Sequence, residues 1–187
     1  QLTPENCCEL AHVFDEVGLP AGVINIVTGK GSVIGNEMAG SPKTDIVSVT
    51  GSVGAGESIM AAAAKNITKV SLELGGKAPA IVFADADLER AAEWILQSRI
   101  GNNGQICNNA ERVYVHRDVK QAFTELLLEK FKAVKVGDPC LCPDVDMGPL
   151  VEQRALESVE AKVAKAVSQG AKILCGGHRV GTKGYFY

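Results

Sequence analysis

The chain has 187 residues, a formal charge of -3 and a sequence pI near 5.7, with 46% apolar and 22% charged residues. That balance suits an ordinary globular chain of one domain or two small ones, with enough length for a sizeable core. It argues against a nucleic-acid partner or an acidic membrane surface. No apolar run approaches a membrane span, and Gln1-Leu2-Thr3-Pro4 lacks the basic region and apolar stretch of a signal peptide, so a cytoplasmic setting is expected.

Helical and strand patterns alternate along the chain, which reads as α/β with mostly parallel strands. Thr3 is expected to cap a first helix with Pro4 at its first position, running to about Val17 and stopped by Gly18-Leu19-Pro20. Val23 to Val27 reads as a short buried strand. A second helical stretch covers Val33 to Ala39, and Ile46 to Val49 is a strand leading into Thr50-Gly51-Ser52. A helix from about Val53 to Lys65 follows, then strands Lys69 to Leu74 and Ala80 to Phe83.

Asp87 should cap a helix from Leu88 to about Ile100, with one apolar face. Strand Val113 to His116 comes next. Asp118 is expected to open a helix to about Val134, with Phe123, Leu126, Leu127 and Phe131 inward. Gly137 to Gly148 is a loop; the last helix, about Val151 to Gln169, ends at Gly170, and Lys172 to Cys175 reads as a final strand. The domain change is placed near Gly75-Gly76, giving 1-75 and 76-187.

Six cysteines (Cys7, Cys8, Cys107, Cys140, Cys142 and Cys175) include no C-x-x-C pair, and His12, His116 and His178 are scattered. Cys140-Leu141-Cys142 alone is a weak zinc signal, so no metal is expected and free thiols in a reducing cytosol are the default. The glycine motifs need sorting. Gly29-Lys30-Gly31-Ser32-Val33-Ile34-Gly35 is one residue too long for a dinucleotide fingerprint, and a plain strand-to-helix turn explains it as well. Gly51-Ser52-Val53-Gly54-Ala55-Gly56-Glu57-Ser58 approaches a Walker A motif, but Glu57 stands where the lysine must meet phosphate, which disfavours nucleoside triphosphate hydrolysis. Its helix start can still bind a pyrophosphate, and Ser52 can cap the helix at the same time.

Two stretches carry candidate chemistry. Gly101-Asn-Asn-Gly-Gln-Ile-Cys107-Asn-Asn-Ala-Glu-Arg112 sets a cysteine in a run of glycine and amide residues, ahead of the strand. Such a loop brings exposed amide donors close to a ligand, although a lone cysteine is more commonly a buried structural one. Val70-Ser-Leu-Glu73-Leu-Gly-Gly-Lys77 puts one carboxylate inside an apolar strand pattern, where it is costly without a task or a partner. Desolvation there is expected to resist ionisation of Glu73.

Together, Glu73-Leu74-Gly75-Gly76-Lys77 and Gly104-Gln105-Ile106-Cys107 resemble the general-base and nucleophile segments of the aldehyde dehydrogenase superfamily, in the right order and at a fitting distance. The string from Gly104 to Val115 is most similar to the lactaldehyde and glycolaldehyde dehydrogenase branch. The resemblance runs through the whole chain. It implies part of a Rossmann-like NAD-binding domain in 1-75 and the first part of the catalytic domain in 76-187. It also implies NAD, or NADP, as cofactor, a small aldehyde as substrate and a homo-oligomeric full-length protein.

In that family a thiolate attacks the aldehyde, hydride leaves to the nicotinamide, and a carboxylate activates water to hydrolyse the thioester. The resemblance therefore assigns the nucleophile to Cys107 and the base to Glu73. Presence of that carboxylate favours hydrolysis to a free acid over transfer to coenzyme A. Cofactor contacts fall on Thr50, Gly51, Ser52 and Leu74. The Cys107 amide would be one oxyanion donor, and the family's second donor is an asparagine upstream of Gln1. Asn108 reads either as a contact to a small polar aldehyde or as a helix-start amide. Arg112 reads as a structural partner of an acidic neighbour rather than as a substrate clamp.

Against the family, whose members are more than twice as long, the chain looks like a central slice, expected to be incomplete for activity. A catalytically inactive fragment serving as a binding or assembly module keeps the same motifs. A thiol hydrolase built on Cys107 and a histidine is the third reading, and none of the three histidines sits in a motif that would make it the base.

Overall fold

The computed structural model describes residues 2–187, which divide into two units, one ending at Gly75 and the other Gly76–Tyr187. The first opens with α1 (Glu5–Glu16), none of whose residues is buried. Thr3 gives it no cap. Pro4 already has helical dihedrals, and its carbonyl takes the amides of Cys7 and Cys8 at 3.0 and 3.1 Å. The proline ring presets the first turn, so the start does not depend on a side-chain oxygen. Gly18, at φ +72°, lies in the left-handed region and ends the helix.

Residues 23–27 are not a strand. The apolar run fits one face of a sheet, but a ladder needs a neighbour, and β1 and β2 below are the only strands paired among the described residues of this unit. Val23, Ile24 and Val27 are accordingly exposed.

After α2 (Gly31–Gly40), β1 (Ile46–Thr50) leads through a turn into α3 (Val53–Ala63) and back to β2 (Lys69–Glu73). The two strands are parallel, with Ile46 opposite Lys69 and Thr50 opposite Glu73. Ala39, Ile59 and Ala63 are buried, with Val47, Val49, Val70 and Leu72 packed against them. Small residues on α3 let it lie close to the sheet. A methyl at Gly56 would fall 2.9 Å from Leu74 Cδ2.

The second unit repeats the scheme with β3 (Pro79–Val82), α4 (Leu88–Ile100), β4 (Arg112–Val115), α5 (Lys120–Ala133) and α6 (Gln153–Ser168). Strands β3 and β4 are parallel, with Pro79 opposite Arg112 and Val82 opposite Val115. Asp87 caps α4 as its sequence suggests, its Oδ1 accepting from the Arg90 amide at 3.1 Å. Val82, Ala92, Ile95, Ala110 and Phe123 form the core, flanked by Leu126 and Leu127 of α5. Lys130 of α5 reaches Glu89 and Glu93 on α4.

Two expectations fail in this unit. Helix α5 starts at Lys120, because the Asp118 amide is taken by His116 Nδ1 at 3.4 Å and the Val119 amide by the His116 carbonyl at 3.2 Å. The turn after β4 thus uses the residues that would have capped. Residues 172–175 have strand-like side chains but no ladder, and Ile173 and Leu174 are exposed. Among the described residues no helix is long and apolar enough to cross a membrane.

Candidate active site

In the first unit the turn after β1 presents the front of α3. Ser52 is the N-cap, and its Oγ accepts from the Ala55 amide at 3.2 Å. An oxygen that accepts this bond keeps its own O–H free to donate. A helix start also leaves amides with no intrahelical acceptor. A methyl at Gly54 would meet nothing within 4 Å, so the approach to this start is open. A pyrophosphate fits such a place: donors, an open side and the positive end of a helix.

Glu73 closes β2 beside that turn, with the Gly51 amide donating to the Glu73 carbonyl at 2.9 Å. Its side chain is exposed, contrary to the desolvated carboxylate expected from the apolar pattern. The alternation of β2 puts Val70 and Leu72 on the inner face, so position 73 falls outward with Lys69 and Ser71. The carboxylate has no hydrogen bond or ion pair among the described residues. Leu74 is half-buried and lies against Gly56 of α3.

In the second unit Cys107 sits between α4 and β4. Gly101–Gly104 forms a 3₁₀ turn with Asn102 and Asn103 at φ +49° and +54°. Asparagine tolerates that left-handed region better than most residues, which is what this run supplies. The next turn is closed by the Asn109 amide on the Ile106 carbonyl at 3.1 Å, with Cys107 and Asn108 at its exposed tip. All six thiols are free and exposed, including Cys107.

This loop is held from several sides. Asn103 Nδ2 donates to the Gly148 and Pro149 carbonyls at 2.9 and 3.0 Å. Arg99 donates to the Gly104 carbonyl at 3.3 Å. The Ala110 amide donates to Ser98 Oγ at 3.0 Å. Asn109, only 2% exposed, donates to the Gly101 carbonyl at 3.3 Å and draws the two ends of the loop together. It is the buried polar residue here, whereas Asn108, singled out from the sequence, is exposed. Nothing in two adjacent asparagines distinguishes the pair; burial does.

Among the described residues Arg112 does not pair with an acid, contrary to the sequence expectation. It donates from Nε to the Lys77 carbonyl at 2.8 Å and from a terminal nitrogen to the Tyr114 hydroxyl at 3.2 Å. The acidic neighbour, Glu111, instead binds Lys77 and lies 3.7 Å from Arg99. Lys77 therefore has its own carboxylate within the second unit.

Among the described residues no group of three or more His, Cys, Asp or Glu side chains is placed to hold a metal. A cavity of about 620 Å³ in the second unit is walled by Ile100, Phe131, Val136, Cys175 and Tyr187 among others, and Cys107 is not part of it. The first unit offers an accessible carboxylate at a strand end and a helix start suited to phosphate; the second offers an accessible thiol on a braced loop.

The aldehyde dehydrogenase family model matches residues 1–187. Lactaldehyde dehydrogenase of Escherichia coli K12 is 55% identical over all 187 residues, which cover 39% of that protein. The crystal structure of lactaldehyde dehydrogenase from Escherichia coli superposes with a TM-score of 0.96 at 56% identity, over 99% of this chain and 39% of that one. Betaine aldehyde dehydrogenase from Staphylococcus aureus, solved in complex with NAD+, gives 0.92 at 35% identity, over 99% of this chain and 37% of that one. The chain thus spans about two-fifths of the length of these relatives. With a family match from its first residue to its last, and an α/β fold shared with solved members, this chain belongs to the aldehyde dehydrogenase family.

Proposed function

We propose that the chain carries the nucleophile and base of an NAD(P)-dependent aldehyde dehydrogenase that oxidises a small aldehyde, with lactaldehyde or a similar 2-hydroxyaldehyde as the favoured substrate. The observation that carries this reading is Cys107 at the exposed tip of a turn whose backbone is braced by Asn103, Asn109 and Arg99. Bracing matters because a nucleophile gains most from being held in an attacking geometry. The likeness to lactaldehyde dehydrogenase supports the substrate.

The Cys107 thiolate adds to the aldehyde carbon, and the carbonyl π electrons move to oxygen as a thiohemiacetal oxyanion forms. The Cys107 amide is a donor to that oxyanion. The same carbon then gives up a hydride, for which a nicotinamide cofactor, NAD or NADP, would be the acceptor. What remains on Cys107 is a thioester. Glu73 takes a proton from water, the hydroxide adds to the thioester carbon, and the sulfur leaves as thiolate with the free carboxylic acid as product. Exposure of Glu73 gives it the water it needs, and the pairing of Lys77 with Glu111 removes that lysine as a rival partner. The Thr50-Gly51-Ser52 turn and the open side of Gly54 would hold the cofactor pyrophosphate, with Leu74, which lies against Gly56 of α3, as a further cofactor contact. The residues 1-75 act as the cofactor-binding part and 76-187 as the nucleophile-bearing part.

The test is acyl trapping in the full-length enzyme. Lactaldehyde and NAD are mixed and quenched in acid, and peptides are weighed. An acyl mass on the peptide containing Cys107, lost in Cys107→Ala, is expected. An acyl group on another cysteine, or none with turnover intact, would refute the assignment.

A further inference from the structure

Gly75 and Gly76 are adjacent, exposed and identical in sequence terms, yet the structure separates them. A methyl on Gly75 would meet nothing within 4 Å. A methyl on Gly76 would lie 2.6 Å from the carbonyl oxygen of Cys107, closer than real side-chain carbons come. Neither glycine has a positive φ, so backbone conformation does not explain Gly76. Steric room does.

The surroundings decide which side would yield. Next to Gly76, the Ala78 carbonyl accepts the amides of Glu111 and Arg112 at 3.0 and 3.3 Å. The Lys77 carbonyl accepts from Arg112 Nε at 2.8 Å, and the Lys77 ammonium binds Glu111. Residues 77 and 78 are therefore locked to 111 and 112, and β3 pairs with β4 directly beyond. The segment carrying Gly76 cannot back away without breaking these bonds. On the other side, Cys107 stands at an exposed turn tip, and the bonds that brace its loop fall on Asn103, Gly104, Asn109 and Ala110 rather than on Cys107 itself. A methyl at position 76 would turn the peptide that follows Cys107, and with it the direction of the thiol and of the Cys107 amide.

We propose that Gly76 is a positioning residue for Cys107: its lack of a side chain makes the room in which the Cys107 carbonyl sits, and so sets where the thiol points. The consequence for turnover rests on the reading of Cys107 as the nucleophile; the consequence for thiol reactivity does not.

The test compares the chain with Gly76→Ala and Gly75→Ala, using iodoacetamide labelling of the native protein read by peptide mass. Cys107 should label about tenfold more slowly in Gly76→Ala, a change of the size that a small misplacement produces. Cys140 and Cys175 should keep their rates, and Gly75→Ala should match the parent. In the full-length enzyme, Gly76→Ala should lower kcat by about 10²-fold with the KM for NAD unchanged. Hydrogen exchange over 76–187 is the fold control. An unaltered Cys107 labelling rate in folded Gly76→Ala overturns the proposal. So does loss of exchange protection throughout that unit, which would make Gly76 a folding residue only. Selective slowing at Cys107 with normal turnover would uphold the positioning and sink Cys107 as nucleophile.

Discussion

The Gly51 amide donates to the Glu73 carbonyl at 2.9 Å, so the turn at the start of α3 and the last residue of β2 are one hydrogen-bonded unit. Thr50 and Glu73 are also register partners across the parallel pair. Residues more than twenty apart in the chain, assigned to cofactor and to base, are thus held by the same ladder. A parallel pair joined through a helix brings the ends of both strands to one edge, which is where ligands meet such sheets.

Glu73→Gln keeps the size of the side chain and removes its proton acceptor. In the full-length enzyme, rapid mixing with aldehyde and NAD should give one burst of NADH per active site. A steady rate lowered by about 10²- to 10⁴-fold should follow, with acyl mass held on Cys107. A smaller burst would add a role for Glu73 in deprotonating the thiol. A folded variant with an unchanged steady rate would exclude Glu73 as base.

Ser52 caps α3 and is proposed to meet the cofactor pyrophosphate, and two substitutions part these roles. Ser52→Ala loses the bond to the Ala55 amide and should cost about 1 kcal/mol in denaturant unfolding. Ser52→Asp supplies an equally good cap, so stability should hold, but it places a negative charge where pyrophosphate is to bind. The KM for NAD in the full-length enzyme should rise more in Ser52→Asp than in Ser52→Ala. Equal KM values in both would restrict Ser52 to capping.

Asn109 tests the bracing of the loop that carries Cys107. Its amide is buried and bonded to the Gly101 carbonyl. Asn109→Ala leaves that carbonyl without this donor and should cost about 1–3 kcal/mol. Asn109→Asp should cost more, because a buried carboxylate would face a carbonyl oxygen. Denaturant melts measure both, and parent-like stability in the alanine variant would show that the 106–109 turn closes the loop unaided.

The segment after α6 should respond to acid. Arg179 grips Glu160 with two bonds of 2.6 Å. Those hydrogen bonds, ahead of simple charge attraction, hold the Glu160 carboxyl below its ordinary value of 4.5. A depressed carboxylate stabilises the folded state above its unfolded value. That contribution fades as pH falls below 4.5 and through the lower folded value. Ring resonances of Tyr185 and Tyr187 followed in an acid titration should shift in that window. In Glu160→Gln they should already lie near the shifted position at neutral pH. Parent-like behaviour of that variant would show that other contacts hold the segment.

Much of this protein was written locally. Asp87 before an apolar periodic run marks the start of α4, since a cap and a 3.6-residue pattern act within a few residues of each other. The Thr50-Gly51-Ser52 turn between β1 and α3 is local in the same way, and so are the two motifs that carry the family likeness. The tertiary structure decided what depends on neighbours distant in the chain. Residues 23–27 and 172–175 have the side chains of strands, but hydrogen-bonded pairing belongs to two segments and cannot be read from one. Glu73 lies on the outer face because β2 pairs in a register that turns Val70 and Leu72 inward, and a strand's face is a property of the sheet. Arg112 chose the Lys77 carbonyl over its acidic neighbour because β3 and β4 run side by side. Asn109 differs from Asn108, and Gly76 from Gly75, only through what stands opposite. A sequence names the residue types; the opposing backbone decides which of two identical neighbours is buried, and which has no room for a side chain.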